Sequence, residues 1–566
     1  MGHSRRATEG TLLLFAAVVL TLGFAFTFLA KLPQLDTHST VNVNLVSPAK
    51  VASALMVDRG LAEMFCRHRP FANTDSISDV KLLTAEQVSR LAACKDDITA
   101  MSPGELATRG HVGNAVAERL VEIFAAGSIK VSASELARLP VVSQATISTL
   151  DSRLRVRDPS PVTTAFCIYI GLFLTAFFVL HLVLRRGNPN TDPYILPCVM
   201  MLAGIGAMML FSIKDPLRDT DVFTKQVHGI LVGIILAMIP LTAKFRSIRP
   251  WRYTYLYALL AIFLTFLLAL FGTGPGGAKL KLFGFQPVEL VKLALAFYVA
   301  SYLADRWNML ADRTGPKRTI QLPLFRDIGP LAVMYVLSLA TFILVRDLGP
   351  MLLMFGMFVA MLHLATGRPS YIAVGLAVVG VTGWLAYVLH LGVFDVRVDM
   401  WLHPWKNAHP NGMQLGEALW GLGTGGIWGS GLGLGQPAYM PRSGSDLIFA
   451  SAGEELGLIG SLAILAISSI LLTRAFRISL YARTDFDRFL SAGIAILLGI
   501  QVVIIVFGVL GLIPLTGVTF PFMSYGKSSL AASFFMAGLL LNVSTQSTST
   551  DHSSLIRQSE AWRPDW

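Results

Sequence analysis

At 566 residues, 54% hydrophobic and only 14% charged, with a mean hydropathy of +0.60, the chain is far more apolar than a soluble protein, in which about a quarter of residues are charged. It reads as an all-α polytopic membrane protein. Its formal net charge of +11 would suggest nucleic acid in a soluble chain, but Lys and Arg gather in the cytoplasmic loops of membrane proteins, so no nucleic-acid partner is inferred.

Ser4-Arg5-Arg6 precedes an apolar run from Thr11 to Ala30, about 20 residues, enough to cross the hydrocarbon. A cleaved signal peptide shares the basic start and apolar run, but this run is long and no clear A-x-A site follows it. A retained anchor over residues 1–31 is therefore expected. Across 32–161 the composition changes to charged and small residues, with helical apolar spacing in Thr84–Cys94, Ala115–Ala126 and Ser132–Leu154, the last interrupted at Pro140. This predicts a small helical domain outside the cytoplasm. It holds Cys66 and Cys94, and that location would permit a disulfide between them. Cys167 and Cys198 lie in apolar runs and read as packing residues.

Further apolar runs of spanning length lie at about 162–184, 194–213, 227–243, 252–271, 285–304, 328–345, 348–366, 370–391, 450–473, 488–512 and 525–545, making twelve spans with the first. Residues 162–190 form a second span, 191–548 a ten-span core, and 549–566 a cytoplasmic tail. Alternation from a cytoplasmic N-terminus puts Arg185-Arg186, Lys244 to Arg252, Arg306 to Arg318, Arg368, and Arg474 to Arg488 inside. That satisfies the positive-inside rule, with both termini cytoplasmic and a large loop, 392–449, outside.

Between Asp395 and Leu456 no apolar run of spanning length occurs, and a long loop rich in Trp, Gly and Pro reads as ordered and functional. Its glycine run, Gly421 to Gly435, lacks the strand and helix that would make it a phosphate cradle, so close backbone packing is expected there. No Walker A loop, G-x-S-x-G elbow, H-E-x-x-H or C-x-x-C is present.

Ionisable residues within apolar runs are costly and are therefore functional candidates. Glu289 and Lys292 lie three apart on one helical face and can neutralise each other, as a structural ion pair or as part of a site. Arg346-Asp347-Leu348-Gly349-Pro350 interrupts two runs that together would be too long for one crossing and so marks a hairpin tip at the outer surface, where Asp347 is a functional or a plain interfacial charge. Glu454 and Glu455 are expected to open the helix after the loop, complementing its dipole.

Four stretches in order resemble the SEDS family (shape, elongation, division and sporulation), which includes the rod-shape and septal peptidoglycan glycosyltransferases. Phe285-Gln286-Pro287-Val288-Glu289-Leu290-Val291-Lys292-Leu293 is similar to F-Q-P-S-E-L-x-K-L, and Asp347-Leu348-Gly349-Pro350 to Q-P-D-L-G-T. Asp446-Leu447-Ile448-Phe449-Ala450 with Gly453-Glu454-Glu455-Leu456-Gly457 is similar to D-F-I-F-A-x-x-G-E-E-L-G. Pro514 to Leu530 is similar to P-x-T-G-x-x-x-P-F-x-S-Y-G-G-S-S-L. The resemblance covers about 190–545 and implies a ten-helix core in a bacterial inner membrane. It also implies polymerisation of lipid II with release of undecaprenyl diphosphate, and a class B penicillin-binding protein transpeptidase as partner. On the matched motifs it implies substrate-binding roles for Glu289, Lys292, Asp347, Gln414, Asp446, Glu454, Glu455, Ser524 and Lys527. The departing diphosphate calls for cationic side chains or a divalent cation, Mg or Mn, with no other cofactor expected.

The chain departs from the family where members read D-P-x-x-D-P-x-G-x-G-Y-Q and the second Asp is essential. Here the run is His403-Pro404-Trp405-Lys406-Asn407-Ala408-His409-Pro410-Asn411-Gly412-Met413-Gln414. Asn407 takes the catalytic position, and an amide cannot serve as a proton-accepting base at neutral pH. Arg442 replaces an acidic residue and Lys527 a glycine. Three readings follow: a polymerase using Asp399, or else Asp395 or Glu417, as base; a degenerate member that binds lipid-linked precursor or a partner; and a flippase for a lipid-linked precursor.

Overall fold

The computed structural model describes residues 2–34, 41–42, 48, 59–67, 116–118, 120, 154–155, 159–213, 220–242, 254–274, 279, 281–282, 285–312, 325–345, 348–390, 392–405 and 413–546. The chain divides into two compact units. One comprises Met1–Phe28, Tyr169–Lys214 and Asp219–Trp566, and the other Leu29–Ile168 with Asp215–Arg218. Within the second unit the described elements include helix α2 (Arg59–Cys66) and a short parallel pair, β1 (Val41–Asn42) with β2 (Leu154–Arg155), with Val41 opposite Leu154. Cys94 and the side chain of Cys66 lie outside the described residues, so the disulfide reading does too.

Each of the twelve apolar runs contains a helix. The helices are α1 (Gly2–Gln34), α3 (Pro159–Gly187), α4 (Ile195–Ile213), α5 (Thr220–Met238), α6 (Thr254–Phe271), α7 (Val288–Asp312), α8 (Phe325–Val345), α9 (Leu348–Thr366), α10 (Ser370–Val388), α13 (Ile448–Leu480), α14 (Asp485–Val509) and α15 (Lys527–Gln546). Among the described residues nine helices are long and apolar enough to cross a membrane; α5 and α8 have shorter apolar stretches, Val222–Met238 and Gly329–Ala340. Helix α7 carries Glu289 and Lys292 near one end and Asp305 and Arg306 near the other. The chain is thus an all-α polytopic membrane protein.

Burial tracks sequence pattern. Helix α4, apolar all round, buries every residue except Met201 and is central, whereas α10 buries only Gly375 and is peripheral. Helix α1 turns Leu14, Phe15, Val18, Leu22 and Phe26 outward and buries Leu13, Ala16, Leu20 and Phe24. Leu20 fills the space a side chain would need at Gly204, and Phe24 meets Phe173 and Phe223 edge-on at 6.5 and 6.2 Å. At the start of α1, buried Arg6 pairs with buried Glu9, which also bonds His181 Nδ1 at 2.7 Å. Arg6 further donates to the carbonyls of Pro189 (3.1 Å) and Thr191 (2.8 Å), tying α1 to the segment entering α4. Cys198 is buried as expected of a packing residue; Cys167 instead lies on an exposed face of α3.

Among its described residues the loop before α13 carries two helices of its own, α11 (Gly392–Leu402) and α12 (Met413–Gly425), plus a single helical turn at Pro437–Tyr439.

Candidate functional site

The connection between α14 and α15 is where the loop and the core meet. Trp401 of α11 donates its indole Nε1–H to Gly511 O at 2.7 Å, and Arg397 donates to Leu515 O at 3.1 Å. Ser524 donates to Ser445 O at 2.6 Å and accepts from the backbone N–H of Phe520 at 2.7 Å, while Tyr525 N–H donates to Gly444 O at 2.8 Å. At the core side, the backbone N–H of Gln286 donates to Ser528 Oγ at 3.0 Å. Gly349 of α9 lies against Thr516 O, with Val518 Cγ2 only 3.1 Å from where a Cβ would stand. Phe449 also stacks on Phe520 with ring centroids 6.0 Å apart, so the motif stretches 285–293, 348–350 and 446–457 all meet the fourth, 514–530.

Two non-glycine residues here, Arg442 at φ 56° and Phe522 at φ 63°, hold left-handed backbone. Such strain costs about 1–3 kcal/mol and persists where surrounding structure imposes it, commonly at functional sites. Here the Arg442 carbonyl accepts from Ser445 N–H at 2.9 Å, and Phe522 is sealed in the core with its ring edge-on to Phe534. Arg442 Nη1 donates to Asp446 Oδ2 at 3.2 Å. Burial pushes the Asp446 carboxyl above its ordinary range, with Arg442 pulling the other way.

Glu454 and Glu455 do not open their helix. Helix α13 starts at Ile448, and the two carboxylates lie two turns inside it, just before Gly457 (φ 69°, ψ −167°) breaks the helical path. They serve the loop instead: Glu454 Oε1 accepts from Gln436 N–H at 2.8 Å and Glu455 Oε2 from Gly433 N–H at 3.1 Å, while Ser212 donates to Glu455 Oε1. The break lets backbone join backbone. Ser430 N–H and Gly431 N–H donate to the Glu454 and Glu455 carbonyls at 2.9 and 3.0 Å, and Leu458 N–H and Ile459 N–H donate to those of Gly426 and Ile427 at 2.9 and 3.2 Å. The glycines allow this approach, because a side chain at Gly425 would collide with the Gly453 carbonyl and one at Gly429 with that of Glu455.

Among the remaining candidates, Lys292 Nζ lies 2.6 Å from Glu289 Oε2, and both side chains are buried. Gln414 is half-buried in the first turn of α12, and Lys527 is exposed at the first position of α15. Asp399 is exposed on α11, whereas Asp395 pairs with His390 Nδ1 at 3.2 Å. Glu417 on α12 is half-buried, with Oε2 sealed from solvent and without a hydrogen-bond partner among the described residues, and burial raises its carboxyl above the ordinary value of 4.5. Asp347 and Asn407 lie outside the described residues. Among the described residues no three His, Cys, Asp or Glu side chains converge as metal ligands, and Glu454 and Glu455 already serve backbone donors.

Sequence reasoning misses Ser212, Arg397, Trp401 and Ser445. Each is a polar or indole donor, or a carbonyl, whose partner lies 70 or more residues away, so no local pattern marks it; Arg397 and Trp401 one turn apart are the only hint.

Residues 193–549 match the family of cell cycle proteins that takes in FtsW, RodA and SpoVE. Over 386 residues, 66% of this chain and 82% of the relative, the sequence is 34% identical to the peptidoglycan glycosyltransferase RodA of Mycobacterium tuberculosis (strain ATCC 25618 / H37Rv). Over 371 residues it is 33% identical to the probable peptidoglycan glycosyltransferase FtsW of Geobacter sulfurreducens (strain ATCC 51573 / DSM 12127 / PCA), covering 63% of this chain and 95% of that one. A solved chain from a study of the structural coordination of polymerization and crosslinking by a peptidoglycan synthase complex superposes with a TM-score of 0.52 at 25% identity, over 64% of this chain and 99% of that one. Helices α1, α2 and α3 precede the matched region.

Proposed function

This chain belongs to the FtsW, RodA and SpoVE family of cell cycle proteins, and we propose that it is a peptidoglycan glycosyltransferase polymerising lipid II. The observation that carries this reading is the meeting of the first three motif stretches with the fourth, 514–530, which runs from the connection between α14 and α15 into the start of α15. In the reaction the 4-hydroxyl of one lipid-linked disaccharide attacks the anomeric carbon of another; the new glycosidic bond forms as the bond to undecaprenyl diphosphate breaks. The hydroxyl proton passes to a base, and the leaving diphosphate is met by positive charge. Arg442 and Lys527, both exposed beside this connection, suit the second task.

For the base, Asn407 is chemically unsuited. Asp399 is open to solvent, whereas Glu417 holds a sealed carboxylate oxygen and a raised carboxyl, closer to the pKa that general-base work at neutral pH favours. Glu417 is therefore our first candidate and Asp399 the second.

The loop faces outward, with both termini cytoplasmic, as the distribution of Arg and Lys supports. A cross-linking partner of the class B penicillin-binding type is supported by the solved relative's place in a synthase complex. Purified protein incubated with lipid II tests the central claim: a ladder of glycan chains on a gel is expected. Binding of lipid II without polymer would mean that the Asn407 position has made the chain a binder, and lipid II crossing proteoliposomes without polymer would favour the flippase.

A further inference from the structure

The 24 residues from Ala418 to Pro441 contain no Asp, Glu, Lys, Arg or His. A water-exposed loop of that length would carry about six charged residues at ordinary composition. This one instead turns large apolar and aromatic side chains outward: Trp428 is 82% exposed, Trp420 69%, Tyr439 66% and Ile427 59%. Tryptophan and tyrosine, with an apolar ring and one polar handle, concentrate where headgroups meet acyl chains.

The patch is continuous with a membrane-facing surface. The hydrogen bonds from Leu458 N–H to Gly426 O and from Ile459 N–H to Ile427 O set the loop directly beside Leu458, Ile459 and Leu462, which are exposed on a helix apolar enough to span. Much of its backbone also finds partners within the protein, as a site without water requires. Irregular backbone is tolerated at membrane depth only where its polar groups are satisfied by protein. Here the N–H groups of Ser430 and Gly431 go to the Glu454 and Glu455 carbonyls, and those of Gly433 and Gln436 go to the two carboxylates. Gly429, Leu434, Tyr439 and Met440 bond within the loop.

We propose that the stretch from Trp420 to Tyr439 is seated in one leaflet of the bilayer, with Ile427 and Trp428 at the boundary between headgroups and acyl chains. Glu454 and Glu455 permit this by accepting the N–H groups that water would otherwise serve. The occupant of the patch is lipid, because the surface it prolongs is a lipid-facing one. The proposal does not depend on polymerase activity.

The test uses the full chain in lipid nanodiscs, with the emission of Trp428 taken as the difference between wild type and Trp428→Phe. Equal thermal unfolding of the two proteins in detergent establishes that the exposed substitution leaves the fold intact. The difference emission should be blue-shifted, largely lost with phospholipids brominated on their acyl chains, and nearly indifferent to acrylamide. Quenching by acrylamide but not by brominated lipid would put the loop in water and overturn the proposal. Quenching by neither would mean that protein covers the patch, a second copy included, and would overturn it equally.

Discussion

Trp401 and Gly511 are joined by an indole N–H to carbonyl hydrogen bond of 2.7 Å that spans 110 residues of sequence. With Arg397 on Leu515, it fastens α11 to the connection between α14 and α15. Trp401→Phe keeps the ring but leaves the Gly511 carbonyl without its donor, which should cost about 0.5–1.5 kcal/mol of stability. Polymerisation should fall more than the thermal shift alone explains, because α11 leads into the Asn407 segment. Equal, small effects on both would limit this bond to a structural role.

The Glu289–Lys292 pair is buried on both sides. Removing one partner of a buried pair strands the other charge, at about 3–5 kcal/mol. Glu289→Ala and Lys292→Ala should each lower the unfolding temperature sharply, and the charge-swapped double variant should recover part of the loss. Strictly additive single effects in the double-mutant cycle would contradict the contact.

Glycines of the loop should divide by what surrounds them. Gly425 faces the Gly453 carbonyl, and Gly457 combines φ 69° with the Trp428 carbonyl carbon only 2.7 Å from where a Cβ would stand. Alanine at either should destabilise the protein strongly and separate the loop from α13. Gly423, within α12, has open space around it, so Gly423→Ala should be neutral or stabilising by about 0.4–1 kcal/mol. Thermal unfolding of the three variants decides the matter.

The fold is legible in the sequence because lipid imposes a simple rule: a run of about 20 apolar residues must close its own hydrogen bonds, and helix is the way to do so. Boundaries are less legible. Helix α1 runs from Gly2 to Gln34 although its apolar core is Thr11 to Ala30, since backbone bonding continues past the hydrophobic edge. Helix α12, Met-Gln-Leu-Gly-Glu-Ala-Leu-Trp-Gly-Leu-Gly-Thr-Gly, is poor by propensity and reads as loop; it is helical because Gly421 and Gly425 let it close onto Met440 and Gly453. The same long-range contact moves Glu454 and Glu455 from helix opening to loop support. The motifs name the stretches that converge, but which atoms join them depends on contacts between distant segments.

The proton of the attacking hydroxyl needs an acceptor. If Asn407 holds the position of the family's Asp, as the sequence resemblance implies, polymerisation calls for a carboxylate elsewhere in the loop, and Glu417 and Asp399 can be told apart. Glu417→Gln should cut the rate by about 10²–10⁴-fold, the usual cost of losing a general base, while Asp399→Asn should cost little. The pH profile adds a second criterion. Burial disfavours the charged carboxylate and raises the Glu417 pKa above 4.5, so the acid limb of the rate should lie above the ordinary glutamate range. Stability should follow the opposite sense. A carboxyl that holds its proton more tightly folded than unfolded loses stability as pH rises from about 4.5 through its folded pKa, and Glu417→Gln should flatten that slope. A large loss on Asp399→Asn with Glu417→Gln nearly unaffected would move the base to Asp399. Asn407→Asp should then leave the rate unchanged or raise it; if it alone creates activity in an otherwise silent protein, neither carboxylate takes the proton and the chain is a polymerase that has lost its base.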